Sequence, residues 1–292
     1  MKILNYGSLN IDYTYDVEHF VRDGETISAD RMEIFSGGKG LNQSVALSKS
    51  GVQVWHGGAV GSSDGEFLVD QLKEAGVHTE LIQRISGKTG HAIIQRNPQG
   101  GNCILLYGGA NQEITREMAD KTLEMFGRGD YLILQNEISQ MAYIMEKAHE
   151  KAMKIVMNPS PMNGRIRTYP LEYVDWFILN EVEGADLCEE AEGETLVKRL
   201  AERFPHARIV LTLGSRGALC WDGSQVLAQR AYRVEAVDTT AAGDTFTGYF
   251  MGGIVQGLSE TAALDRAARA ASIAVTRPGA APSIPWKDEV DR

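Results

Sequence analysis

Short apolar runs alternate with helical repeats along most of the chain. Residues 3–7 (ILNYG), 52–60 (VQVWHGGAV), 131–135 (YLILQ), 154–158 (KIVMN), 176–180 (WFILN) and 208–213 (RIVLTL) are brief and strand-like. Between them, residues 41–51, 66–76, 139–151, 181–190 and 194–204 carry apolar side chains at helical spacing. Gly51 and Gly76 stop the first two helices. The alternation predicts a parallel sheet covered by helices on both faces.

Two stretches break this rhythm. Residues 11–35 have no helical period, and residues 88–111 read as two strands around an Asn-Pro-Gln-Gly-Gly turn. Together they predict a small accessory sheet, either a flap over a site or a decorated sheet edge. No internal repeat or interdomain linker interrupts the 292 residues, which read as a single domain over 1–292.

Composition narrows the function classes. The net charge of −10 disfavours a nucleic-acid surface. It leaves room for a small anionic ligand, because a local nest of N–H groups outweighs the global sign. Cys103, Cys188 and Cys220 form no C-x-x-C pair, so neither a disulfide framework nor a zinc ribbon is indicated. No run reaches the ~18 apolar residues of a membrane span. The opening MKILNYGSLNID lacks the apolar core of a signal peptide, and the expected compartment is the cytoplasm.

The most informative stretch is DTTAAGDTFTG, 238–248. Ala241, Ala242 and Gly243 have almost no side chain and open a helix in which Phe246, Tyr249, Phe250 and Ile254 share a face. Such a turn exposes several N–H groups at the positive end of the helix, a fit for phosphate or a developing anion. Asp244 then stands beside an anion hole and is placed to accept a proton from an attacking alcohol. The bland alternative makes Asp244 a helix cap.

Other candidates lie on strand ends and glycine turns. In SGGKGLNQ, 36–43, Gly38, Lys39 and Asn42 precede or open a helix, in a pattern that fails both the P-loop and the dinucleotide fingerprint. Asn10 and Asp12 sit two apart in GSLNID, on one side of a strand, as a grip for a vicinal diol requires. NEVE puts Asn180 and Glu183 at a strand end, where a carboxylate can hold Mg²⁺ through water or simply cap a helix. TLGSRG, 212–217, leaves a strand into a turn able to line a nucleotide. GSSDG, 61–65, matches the nucleophile-elbow pattern of serine hydrolases around Ser63, but no histidine follows His206 to complete a triad.

GGKGLNQ, NEVE, TLGSRG and DTTAAGDTFTG occur in this order, followed by the tail TRPGAAPSIPW, 276–286. Together they resemble the ribokinase-like (PfkB) carbohydrate kinases over nearly the whole chain. The resemblance implies a three-layer α/β/α sandwich with a mostly parallel sheet and a small β lid, formed by 11–35 and 88–111, that often makes a homodimer. It implies ATP-dependent phosphorylation of a sugar's primary hydroxyl, with D-ribose first and another sugar or a nucleoside as the alternative. Asp244 would be the base, beside the N–H groups of Ala241 to Asp244. Asn10, Asp12, Gly38, Lys39, Asn42 and Glu137 would contact the sugar. Asn180, Thr212, Gly214, Ser215 and Gly217, with Gly243, would serve the phosphates and nucleotide, and Glu183 would serve Mg²⁺. A K⁺ ion would be held by the Asp238 carboxylate, the carbonyls of Thr240, Ala274, Arg277 and Gly279, and Ser283. Leu41, Asn136 and Ala268 depart from the family's usual residues at their positions.

Overall fold

The computed structural model describes residues 1–188 and 191–292. Nine strands form one sheet: β1 (Ile3–Tyr6), β4 (Val54–Gly61), β5 (Ile82–Ile85), β8 (Tyr131–Gln135), β9 (Lys154–Asn158), β10 (Val174–Asn180), β11 (Arg208–Thr212), β12 (Ala218–Trp221) and β13 (Val226–Gln229). Their order is β13-β12-β11-β10-β9-β8-β1-β4-β5. All neighbours pair in parallel except β11 with β12 and β12 with β13. The expected runs at 131–135 and 154–158 coincide with β8 and β9.

The continuous apolar runs have a simple cause. Successive strand side chains point to opposite faces, and here each face has its own core. Ile133, Val156, Ile178 and Val210 join one cluster, whereas Leu132, Leu134, Ile155, Met157, Phe177, Leu179, Ile209 and Leu211 join the other. The first face packs against α1 (Lys39–Lys49), α2 (Glu66–Glu74), α7 (Ala242–Val255) and α8 (Glu260–Ala274). The second packs against α3 (Arg116–Leu123), α4 (Met141–Glu150), α5 (Glu181–Leu187) and α6 (Gly193–Arg203). The helix expected over 181–190 is α5, and its last two positions lie outside the described residues.

The accessory strands form a separate four-stranded sheet in the order β3-β2-β6-β7. These are β2 (Asn10–Asp16), β3 (Arg31–Gly37), β6 (Gly90–Arg96) and β7 (Asn102–Tyr107). The turn at 97–101 joins β6 to β7. The sheet begins where β1 ends, so Asn10 and Asp12 stand beside the carboxyl ends of the central strands.

Helix α7 packs closely on α1, and glycine makes this possible. A Cβ at Gly248 would lie 2.3 Å from Ala46 Cβ and 2.8 Å from the Leu47 amide nitrogen. The approach brings the first turns of the two helices together, and with them Asn42, Gln43 and Asp244.

Candidate active site

Asp244 occupies the third position of α7 and makes no cap for its own helix. The cap alternative is therefore overturned. Its Oδ2 accepts from Asn42 Nδ2 at 3.0 Å, and its Oδ1 accepts from Gln43 Nε2 at 2.9 Å. The carboxylate is 7% exposed, so these amide donors stand in for water. Asn42 Oδ1 is buried without a partner and remains an acceptor facing the site.

The turn ahead of Asp244 has an unusual backbone. Ala241 sits at φ 59°, in the left-handed region that costs a residue with a Cβ about 1 kcal/mol or more. Among the described residues the N–H groups of Ala241, Gly243 and Asp244 have no hydrogen-bond partner, whereas that of Ala242 donates to the Thr239 carbonyl at 3.2 Å. The expected four-donor hole thus has three free donors. They open on a cleft of about 220 Å³ lined by Lys39, Asn158, Asn180, Glu183, Thr212, Ala241, Ala242, Gly243 and Asp244, among others.

Lys39 lines this cleft, although its motif suggested a sugar contact. Burial works against its charge, but Asp244, Glu137 and Glu183 outweigh burial and raise its pKa. Asn180 and Glu183 form a capping box: Asn180 Oδ1 accepts from the Glu183 N–H at 2.9 Å, and Glu183 Oε2 from the Asn180 N–H at 3.0 Å. The structural reading of NEVE is correct, and both residues still face the cleft, with Glu183 Oε1 unbonded. Thr212 Oγ1 donates to the Leu179 carbonyl at 3.3 Å, and Gly214 and Ser215 lie exposed just beyond. Gly217 has a structural reason of its own: φ is 108°, and a Cβ there would lie 2.0 Å from the Gln229 carbonyl oxygen.

On the other side of Asp244 lie the residues expected to hold a sugar. Asp12 makes no hydrogen bond, and its carboxylate lies over Gly37, where a Cβ would come within 2.1 Å of Oδ2. Burial, and after it the charge of Glu137, pushes Asp12 up to about 7. Burial also raises Glu137, against the opposing help of Ser8 and Lys39. Glu137 accepts from the Ser8 hydroxyl and, at 3.0 Å, from the Lys39 backbone N–H. Asn10 Oδ1 accepts from Asn111 Nδ2 at 2.8 Å, which leaves the Asn10 amide nitrogen without a protein partner. Gly38 stands at the head of α1. Of the departures, Leu41 is buried in the core, Asn136 Nδ2 ties down the Pro161 carbonyl at 2.7 Å, and Ala268 is buried on α8.

The expected K⁺ residues lie on the loop before α7, at the last residue of α8 and on the segment after it, and the Ala274 carbonyl already accepts from the Arg277 N–H at 3.1 Å. Asp238 Oδ2 accepts from the Gly279 N–H at 2.9 Å, and the Asp238 N–H donates to the Val275 carbonyl at 3.1 Å. Burial opposes ionisation of Asp238, but the Thr240 hydroxyl and N–H and the Gly279 N–H prevail and lower its pKa. Ser283 is buried, and its hydroxyl donates to the Ala280 carbonyl at 2.7 Å. Ser63, the hydrolase alternative, has no hydrogen bond to any histidine among the described residues.

Sequence reasoning missed Gln43, Gln135 and Asn5, which form the buried floor behind Asp244, and the half-buried Asn158, which bonds Gln43 and lines the cleft. Gln43 stood within a motif already singled out, but its partner is 201 positions away.

Residues 1–287 match the family described as pfkB family carbohydrate kinase. The chain is 32% identical to a ribokinase of Staphylococcus aureus (strain COL), over 100% of this chain and 99% of that one. A crystal structure of a ribokinase from Thermotoga maritima superposes with a TM-score of 0.88 at 33% identity, covering 99% of this chain and 98% of that one. A structure of Arabidopsis thaliana ribokinase complexed with ribose and ATP superposes with a TM-score of 0.87 at 28% identity, covering 99% and 97%.

Proposed function

The chain belongs to the pfkB family of carbohydrate kinases, and from this premise we propose that it is an ATP-dependent ribose kinase, forming ribose 5-phosphate and ADP. The observation that carries the reading is the placement of Asp244, a buried carboxylate at a cleft shared with Lys39, Asn180 and Glu183 and beside three N–H groups without a partner among the described residues.

In this reading Asn10, Asp12, Gly38, Asn42 and Glu137 bind the sugar, with Lys39 between sugar and phosphate. The sugar's primary hydroxyl oxygen attacks the γ-phosphorus, the bond from that phosphorus to the ADP oxygen breaks, and the hydroxyl proton passes to Asp244. The N–H groups of Ala241, Gly243 and Asp244 receive the charge on the migrating phosphoryl oxygens. Asn180, Thr212, Gly214 and Ser215 hold the phosphates and nucleotide. The unbonded Glu183 Oε1 at the cleft fits a water-mediated contact to Mg²⁺, which neutralises phosphate charge when bound. Asp238, the neighbouring carbonyls and Ser283 supply hard oxygen donors before α7 and at and after the end of α8, a fit for K⁺.

The accessory sheet is read as a lid and as the contact of a homodimer. Support comes from its uncovered apolar residues: Ile104, Leu105, Leu106 and Tyr107 on β7 are each more than half exposed, as is Ile34 on β3. No helix is long and apolar enough to cross a membrane, and a cytoplasmic location fits the reduced cysteines.

A coupled ADP-release assay over ribose, deoxyribose, hexoses and nucleosides, with and without K⁺, tests the proposal. Ribose is expected to give the highest kcat/KM, raised further by K⁺. A nucleoside preferred over every free sugar would defeat the substrate assignment.

A further inference from the structure

Behind Asp244 runs a chain of buried amides whose orientations are all dictated by backbone carbonyls. Asn5 Nδ2 donates to the Gly40 carbonyl and to Ser44 Oγ, both at 2.7 Å, so Asn5 Oδ1 must be an acceptor. It takes Gln135 Nε2 at 2.8 Å, and the same nitrogen donates to Gln43 Oε1 at 2.7 Å. Gln43 is thereby set with its carbonyl away from the site and its NH₂ toward it. A second anchor acts from β9 and β10. Asn158 Nδ2 donates to the Ile178 carbonyl at 2.8 Å, which leaves Asn158 Oδ1 to accept from Gln43 Nε2 at 3.2 Å.

Every polar atom of Gln43 is therefore committed, and one N–H can only point at Asp244 Oδ1, 2.9 Å away. Flipping the amide would set its oxygen against two acceptors, Asp244 and Asn158, at a fully buried position. Gln43, Gln135 and Asn5 are all fully buried, so bulk solvent does not compete for these hydrogen bonds.

We propose that Gln43 is a positioning residue for the phosphoryl-transfer step, fixing one oxygen of Asp244 so that the other faces the sugar hydroxyl. Gln135 acts one step behind it, by fixing the Gln43 amide. The inference rests on the reading of Asp244 as the proton acceptor. It concerns geometry of attack, since a misplacement of about 1 Å costs on the order of a hundredfold in rate. Neither glutamine belongs to the sugar or nucleotide contacts, so the loss should fall on kcat and spare both KM values.

The test compares Gln43→Met, Gln135→Met, the double variant and Asp244→Asn in the same ADP-release assay. Gln43→Met keeps the side-chain length and removes the donor. Its kcat is expected to fall about ten- to a hundredfold, with sugar and ATP KM each within about twofold. Gln135→Met should lose less, about three- to tenfold in kcat, and the double variant should be no slower than Gln43→Met alone. A folded Gln43→Met enzyme with kcat within twofold of the parent overturns the proposal, as does a loss confined to KM or a double variant whose losses multiply. Should Gln43→Met fail to fold by near-ultraviolet circular dichroism, Gln135→Met carries the test, and an unchanged kcat there overturns it. Asp244→Asn separates the two levels. An active Asp244→Asn enzyme sinks the proton-acceptor reading itself, whereas an inactive one beside a fully active Gln43→Met enzyme sinks only the positioning role.

Discussion

The two sides of Asp244 are built on opposite principles. Behind it, the fully buried Gln43, Gln135 and Asn5 exchange hydrogen bonds with one another and with Asn158 at the cleft edge, and α1 and α7 meet at a glycine. In front, three backbone N–H groups, the Asp12 carboxylate and one Glu183 oxygen have no partner among the described residues. Ala241, Gly243 and Asp12 are half-buried or exposed rather than sealed in the core, and Asp244 and Glu183 line the cleft, so these groups remain available to a ligand. The contrast teaches that holding a carboxylate still and leaving donors free are separate assignments: the back fixes Asp244 through side-chain amides, and the front keeps its polar groups uncommitted.

The largest effect should come from the boundary itself. Asp244→Asn keeps the volume and the amide-facing shape but removes the proton acceptor, so kcat should fall by about 10³-fold or more with little change in thermal stability. Steady-state kinetics and a thermal melt check both halves. A helix-capping role would give the reverse pattern, but no capping bond exists to lose.

Asp12→Ala should act on the front alone. Two lost hydrogen bonds from a carboxylate to a bound diol raise the sugar KM by about ten- to a hundredfold, with ATP KM within about twofold. Equal rises in both constants would erase the distinction between the sugar and phosphate sides.

Gly248→Ala should act on the back alone. The added methyl meets Ala46 and the Leu47 backbone, which cannot step aside cheaply. A loss of about 1–3 kcal/mol in denaturant unfolding is expected, while the folded fraction keeps its sugar KM.

A smaller effect follows from pH. Asp12 in the free protein titrates near about 7, raised first by burial and then by Glu137. The ionised form is the better acceptor for sugar hydroxyls, so the sugar KM should fall severalfold between pH 6 and 8. For folding the sign is opposite. The raised value favours the protonated folded state, and that contribution is lost as pH rises through about 7. A KM that is flat across this range would remove Asp12 from the front.

The least effect on chemistry should come from the lid's outer face. Leu105→Glu, at a position 66% exposed on β7, tests the proposed dimer: light scattering should give a monomer where the parent chain is dimeric, with kcat per chain little changed, and a parent chain that is already monomeric removes the lid contact.

Much of this was legible along the chain. The apolar runs located the central strands because each strand is buried on both faces, and the two irregular stretches marked a second sheet. The small-residue turn at 241–243 announced a helix start with N–H groups left uncommitted, since local backbone geometry needs only local sequence. Legibility failed where partners are distant. Lys39 sat in a motif that pointed to sugar, and only the fold showed that it shares a cleft with Glu183 and Asp244. Ala242 was counted among the free donors until its N–H was found on Thr239. The floor residues carried no signal, because glutamine and asparagine on buried elements look like ordinary polar interruptions.

The sequence by itself determined the alternation of elements, the bare turn and the carboxylate that follows it, because these depend on neighbours within one or two turns of chain. Only the tertiary structure decided which amides reach that carboxylate and which way each one faces. Those orientations pass from Gly40 and Ile178 through side chains on separate strands and helices, and a hydrogen bond between residues 201 positions apart exists only once the chain has packed.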